Sequence, residues 1–165
     1  AARHGMKAVI SGGDEAWIVA QELAAADVPV ILNPLNNLPN DFDRLGARLD
    51  NAKLLNDAGV RIAFDYEESH QAGKNRQLAG SAAAHGLPRE AALAAITAVP
   101  ADIFGLGAER GRIEKGKVAD LVLWSGDPLE VTTLADQVWI AGIPVAMRSR
   151  QTELRDRYLE RLRAK

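Results

Sequence analysis

Cysteine is absent from the 165 residues, which excludes disulfides and thiolate metal sites but leaves the redox compartment unread. No apolar run approaches the ~20 residues that a membrane-spanning helix needs. Charge of one sign is lacking too: 20 Lys and Arg face 22 Asp and Glu, a formal net charge of −2. So balanced a chain makes no field for nucleic acid or for an anionic membrane. Basic residues do gather near the C-terminus (Arg148, Arg150, Arg155, Arg157, Arg161, Arg163, Lys165). They are interleaved with Glu153, Asp156 and Glu160 at spacings of three and four, which suits ion pairs on a helix surface. Phosphate-loop signatures are incomplete. Gly12-Gly13 follows a strand-like run, but the third glycine of the dinucleotide fingerprint and the Walker lysine are missing, and Asp14 would repel phosphate. A small nucleotide-binding α/β module is therefore the weakest reading.

What is present is an ordinary soluble composition, 47% apolar and 25% charged, enough for one domain or one domain with a small appendage. Such a protein is expected to be soluble, in cytoplasm or periplasm. Ala1-Ala2-Arg3-His4-Gly5 runs into a strand-like segment with no signal-peptide pattern, so the chain is expected to continue a longer polypeptide.

Met6–Ser11, Val28–Leu32 and Val60–Phe64 read as three buried strands. Helices are expected at 15–26, with Asp14 as N-cap, at 44–57 from the spacing of Leu45, Leu49, Ala52 and Leu55, at 75–85, and at 89–97 with Pro88 in its first turn. A short helical turn is expected from Pro100 to Phe104. Asn33–Asp43, with four asparagines and two prolines, reads as a loop. Alternating strands and helices imply a parallel sheet with right-handed crossovers, and strands without polar alternation expect cover on both faces. Three such strands cannot close a barrel, which needs eight. After Gly107 hairpins take over. Gly111–Leu129 reads as strand, tight turn at Gly116, buried strand Val118–Trp124, and a second turn at Gly126-Asp127-Pro128. Val138-Trp139-Ile140 and Ile143-Pro144-Val145 flank a two-residue turn, Ala141-Gly142. A last helix is expected at 152–164.

The run Gly111-Arg112-Ile113-Glu114-Lys115-Gly116-Lys117-Val118-Ala119-Asp120-Leu121-Val122-Leu123-Trp124-Ser125-Gly126-Asp127-Pro128-Leu129 resembles the closing segment of the amidohydrolase superfamily, metal-dependent hydrolases with a barrel and a small β-sandwich. The resemblance extends over about Met6 to Val145 and is nearest to the imidazolonepropionase-like members. It rests on Gly12-Gly13-Asp14-Glu15-Ala16-Trp17, Asn36-Asn37-Leu38-Pro39-Asn40-Asp41-Phe42-Asp43, Asp50-Asn51-Ala52, Leu78-Ala79-Gly80, Ala84-His85-Gly86-Leu87-Pro88 and Ala92–Thr97. It implies an α/β fold: the last three strand–helix units of a TIM-like (β/α)8 barrel over 1–106, the carboxyl part of a β-sandwich over 107–150, and a terminal helix over 151–165. The closing run itself is expected to be scaffold.

The resemblance also implies a divalent metal, zinc by preference, that lowers the pKa of a bound water, and an acid at the eighth-strand end that moves its proton. No His-x-His pair occurs here, so this chain alone lacks most of the implied ligands. Asp14 stands where relatives carry a sixth-strand histidine; it reads as a substitute metal ligand or as the helix N-cap, the commoner role. Asp65 and Glu67 are the candidates for the eighth-strand catalytic acid: ungapped counting favours Glu67, residue type favours Asp65. His70, with Asn36 and Asn37 in the Pro/Asn-rich loop, is a candidate for substrate binding. His85 reads as a helix-end residue.

The expected function is the carboxyl part of a hydrolase acting on a non-peptide C–N bond of a cyclic or linear amide. The chain alone is expected to be inactive, completed by the amino-terminal half of the barrel or by a partner chain. A small-molecule substrate is implied, with homo-oligomerisation open and no nucleic acid or membrane partner. The rival is a non-catalytic relative whose His-to-Asp and Asp-to-Glu changes disable the metal site.

Overall fold

The computed structural model of the protein describes residues 5–66 and 73–163. Its first part is a three-stranded parallel sheet of order β1-β2-β3, with β1 at Ile10–Ser11, β2 at Val30–Leu32 and β3 at Ile62–Phe64. Ile10 lies beside Val30 and Val30 beside Ile62. Backbone bonds extend the ladder past the strands, from Gly12 N–H to Ile31 O (2.9 Å) and from Asp65 N–H to Leu32 O (3.2 Å). All three residues of β3 are buried, as are Val30 and Leu32, which is what strands without polar alternation expect. β1 is shorter than its apolar run because only β2 pairs with it among the described residues. The other side of β3 is met by the helix over Arg89–Ala94, whose end offers Ala95 O to Phe64 N–H at 3.2 Å.

The helices depart from the sequence reading in instructive ways. A 3-10 turn at Ala16–Val19 precedes α1, Ala20–Ala25, and its cap position is Glu15. Asp14 is not the cap: Gly13 O receives the Ala16 N–H at 3.0 Å, and the Asp14 carboxylate turns to Arg44. Helix α2 begins only at Asn51 and ends at Asp57, after a 3-10 turn at Phe42–Arg44. The helical spacing of Leu45 and Leu49 is overridden, since both side chains are exposed. Gly46 bonds through its N–H to Glu15 and through its carbonyl to the Trp17 indole, long-range bonds that replace a helical turn.

Helix α3, Asn75–Ala84, forms as expected, and α4 spans Arg89–Ala94 with Pro88 at its cap rather than in its first turn. Thr97, at φ −131° and ψ −81°, leaves helical geometry and starts a separate α5 at Ala98–Ile103. The proline in α5, Pro100, sits in the first turn, where its missing N–H costs nothing.

Beyond α5, residues 111–115 form no strand, contrary to expectation. The segment is used for anchoring instead. Gly111, at φ +91°, lies so close to α5 that a Cβ would stand 2.6 Å from the Ala101 Cβ, so only glycine fits. Arg112 grips the Asp102 carboxylate with two bonds of 2.8 and 2.6 Å. The Val118 N–H reaches back to Glu109 O at 2.8 Å, and the largely buried Lys117 ammonium donates to Gly107 O. The expected buried strand shrinks to β4, Leu121–Trp124, in which Val122 and Leu123 are exposed. It pairs antiparallel with β5, Ala135–Ile140, and β5 pairs with β6, Ile143–Pro144. The connecting turn is the expected one, with Ala141 and Gly142 at φ 50° and 79°, both positive as a two-residue turn of this hand requires. Asp120 secures it: one carboxylate oxygen accepts the Ala141 N–H at 2.9 Å and the other accepts from Arg110 at 3.2 Å.

The charged residues of the closing run thus tie segments together. Arg112 holds the Asp102 carboxyl below its ordinary value of 3.8. A group depressed in the folded state stabilises above its unfolded pKa, and that contribution fades as pH falls through the folded value. In urea unfolding, Asp102→Asn should therefore be less stable than the parent at pH 7, and the gap should close below about pH 4.

The terminal helix α6, Arg150–Arg163, starts on reciprocal bonds between Ser149 and Thr152. Among the described residues the ion pair along it joins adjacent Arg155 and Asp156 (2.7 Å) instead of residues a turn apart, while Arg157 and Arg161 lie over the Tyr158 ring.

The parallel sheet and the antiparallel one meet at α3. Arg76, in its first turn, donates to four backbone carbonyls: Pro128 (3.2 Å), Glu130 (2.9 Å), Val131 (3.3 Å) and Thr133 (2.9 Å). Its guanidinium also stacks on Trp124, 4.9 Å from the ring centroid. One turn on, Gly80 lets the loop come so near that a Cβ would lie 2.5 Å from Leu129 O, and the Leu129 side chain enters the core.

Candidate functional site

Parallel strands put their carboxyl ends on one edge, where open α/β sheets and barrels place their chemistry. Three segments leave β1, β2 and β3 there: Gly12–Glu15, Asn33–Asn37 and Asp65–Tyr66. The first is the most constrained. Gly12 and Gly13 both take positive φ, 92° and 79°, and the backbone at Gly13 runs tight against Val30 and Ala16. Asn51, only 5% exposed, pins the segment from the start of α2. Its amide donates to Gly13 O (3.0 Å) and Asp14 O (3.2 Å), and its carbonyl accepts the Trp17 N–H (3.1 Å). A buried amide with all three partners in place is a firm joint, since losing any would leave a desolvated polar group.

Asp14 therefore sits on the predicted edge, with its side chain 13% exposed, and Arg44 Nε lies 3.2 Å from its Oδ2. Arg44 also reaches Asp41 at 3.5 Å, so the β1–α1 and β2–α2 loops share this guanidinium. Behind them Arg48 lies over Trp17, 4.8 Å from the ring centroid, and chelates Asp50, whose carboxyl it holds below its ordinary value.

Asp65 stands at the carboxyl end of β3 as expected, its backbone still in the ladder and its side chain exposed to the edge. Tyr66 behind it packs on the core. Asn36 and Asn37 lie in the loop after β2. Asn37 uses its amide to donate to Pro34 O at 2.7 Å, and the Asn36 N–H bonds Asn33 O at 2.9 Å. Glu67 and His70 lie outside the described residues. His85 is at the end of α3, its Nδ1 2.8 Å from Ser81 O, consistent with a helix-end role.

Do these residues fit a divalent metal? Among the described residues no three His, Asp or Glu side chains gather as a cation cage would require. The carboxylate best placed on β1 is held by a guanidinium. A dication on Asp14 would be repelled by Arg44 by about 8 kcal/mol at about 4 Å in an effective dielectric of about 20. The described residues alone do not fit a metal.

Sequence reading missed Arg44 and Asn51. Asn51 falls inside the helix expected at 44–57, and nothing in its neighbours reveals that it is buried. For Arg44, read as the start of the helix expected at 44–57, the available signal was the pair of acids just before it, Asp41 and Asp43.

With this geometry in view, comparison with known proteins is informative. A model described as amidohydrolase family matches residues 70–146. The amidohydrolase tasK of Hapsidospora irregularis is 50% identical over 58 residues, which is 35% of this chain and 6% of that protein. Among solved structures, an amidohydrolase from Thermotoga maritima MSB8 superposes with a TM-score of 0.80 at 31% identity, covering 89% of this chain and 39% of its own. A zinc-bound adenosine deaminase from Xanthomonas campestris gives 0.61 at 21% identity, over 99% of this chain and 45% of its own. A prolidase complexed with N-methylphosphonate-L-proline gives 0.65 at 20% identity, over 89% and 42%. At these lower identities the likeness is one of fold. The chain spans well under half the length of these relatives.

Proposed function

We propose, from its likeness to amidohydrolases in sequence and in structure, that the chain is a member of the amidohydrolase superfamily and the carboxyl part of a metal-dependent hydrolase of a non-peptide C–N bond, in a cyclic or linear amide. Its parallel strands are then the last three units of a (β/α)8 barrel, and β4–β6 belong to a small β-sandwich. The remaining strands come from the amino-terminal part of the protein or from a partner chain. In this reading the 165 residues do not turn over substrate alone.

The observation that carries the proposal is the acid Asp65 at the carboxyl end of β3, its N–H still bonded into the ladder at Leu32 O. There a carboxylate can take a proton from an attacking water and deliver it to the leaving amine. When bound, a divalent metal makes water nucleophilic at neutral pH, and its ligands come from outside the described residues. Zinc is the first choice, the metal of the Xanthomonas deaminase. Asn36 and Asn37 sit on a loop suited to contact substrate.

The test is amine or ammonia release by the full-length protein from a panel of cyclic and linear amides. Release should vanish on chelation and return with added zinc, while dipeptides stay uncleaved. A preparation that binds no metal and releases no amine would favour the rival, a non-catalytic relative, to which the capture of Asp14 by Arg44 also points.

A further inference from the structure

We infer that Asp14 and Arg44 are a positioning pair, a clasp that fixes the β1–α1 loop to the β2–α2 loop at the carboxyl edge, and that Asp14 is not a cation ligand.

Several independent bonds converge on these two loops. Arg44 Nε reaches Asp14 at 3.2 Å and Asp41 at 3.5 Å, so one guanidinium holds an acid from each loop. The Glu15 carboxylate accepts the Gly46 N–H, and the Trp17 indole donates to Gly46 O at 2.8 Å. Asn51 closes the joint from below through Gly13, Asp14 and Trp17. Glycine is needed where the loops touch, because a Cβ on Gly46 would lie 2.8 Å from the Glu15 carboxylate.

Apart from Arg44–Asp41, which lies within one loop, each contact runs from 13–17 to 41–51. The two segments are adjacent pieces of the sheet's carboxyl rim, so their relative position sets the width of the mouth there. An aspartate serving a metal would need its oxygens clear of fixed positive charge. Here one of them faces a guanidinium that is itself steadied by a second acid. The arrangement is that of a structural ion pair at a functional edge.

The metal part of this inference rests on the amidohydrolase reading; the clasp does not. In the full-length protein, Asp14→Asn and Arg44→Gln should each speed amide exchange at 12–16 and 41–48 by about tenfold, as expected when a local unit opens more readily. The double variant should be no worse than Arg44→Gln alone, because both remove one interaction. Arg44→Lys, which keeps the charge, should recover part of the protection. Metal per chain in Asp14→Asn should equal that of the parent, and KM should rise with little change in kcat, the mark of lost substrate positioning. Metal lost in Asp14→Asn but retained in Arg44→Gln would overturn the inference. So would unchanged exchange in both single variants, or additive effects in the double. The exchange measurement needs neither metal nor turnover, so it decides the clasp even if the amidohydrolase reading fails.

Discussion

Arg76→Ala should be among the most destabilising single changes in the chain, by about 3 kcal/mol. Arginine at this place is a hub. One guanidinium, in the first turn of α3, satisfies four carbonyls of the 128–133 loop and covers the face of Trp124. Removing it strands those carbonyls in a partly buried loop and forfeits a cation–π contact of about 0.5–1 kcal/mol. The loop also delivers Leu129 to the core and Asp127 to Arg89, so the junction of the two sheets loosens with it. For a domain of this size the loss corresponds to a melting shift of about 6–12 °C. Arg76→Lys should rescue little, because one ammonium cannot span four acceptors and does not stack as a planar guanidinium does. Thermal unfolding of the three proteins checks this, and a shift under 2 °C for Arg76→Ala would mean that the junction is held elsewhere.

Asp65→Asn should lower kcat of the full-length protein by about 10²- to 10⁴-fold, the usual worth of a positioned general acid–base. Asparagine keeps the size and the hydrogen-bonding oxygen but cannot carry a proton, so the fold should survive the change. Glu67 is the competing acid by sequence count. Glu67→Gln is the natural comparator, and the variant with the larger loss at unchanged unfolding midpoint identifies the residue that moves the proton.

The strands were legible in the sequence because their signal is local: Val30–Leu32 and Ile62–Phe64 are apolar without alternation and end on turn formers. Family wording located the closing run, whose charged residues are committed to ties with α5 and the Gly107 carbonyl. The α2 boundary was not legible. Leu45 and Leu49 keep helical spacing, yet Gly46 spends both of its backbone groups on Glu15 and Trp17, thirty residues away in sequence. The same is true of 111–115, read as a strand entering the Gly116 turn, because Gly111 and Arg112 are committed to α5 and Lys117 to the Gly107 carbonyl. Asp14 shows the limit for sites. A cap and a ligand are both local readings of an acid after two glycines, and the partner that decides between them, Arg44, comes from another loop.

The most direct test of the account is turnover of Asp65→Asn, measured on full-length protein whose metal content and unfolding midpoint match the parent. The account predicts less than about 1% of parental kcat on a hydrolysable amide. Turnover within about twofold of the parent would contradict it, because the proton would then not pass through Asp65.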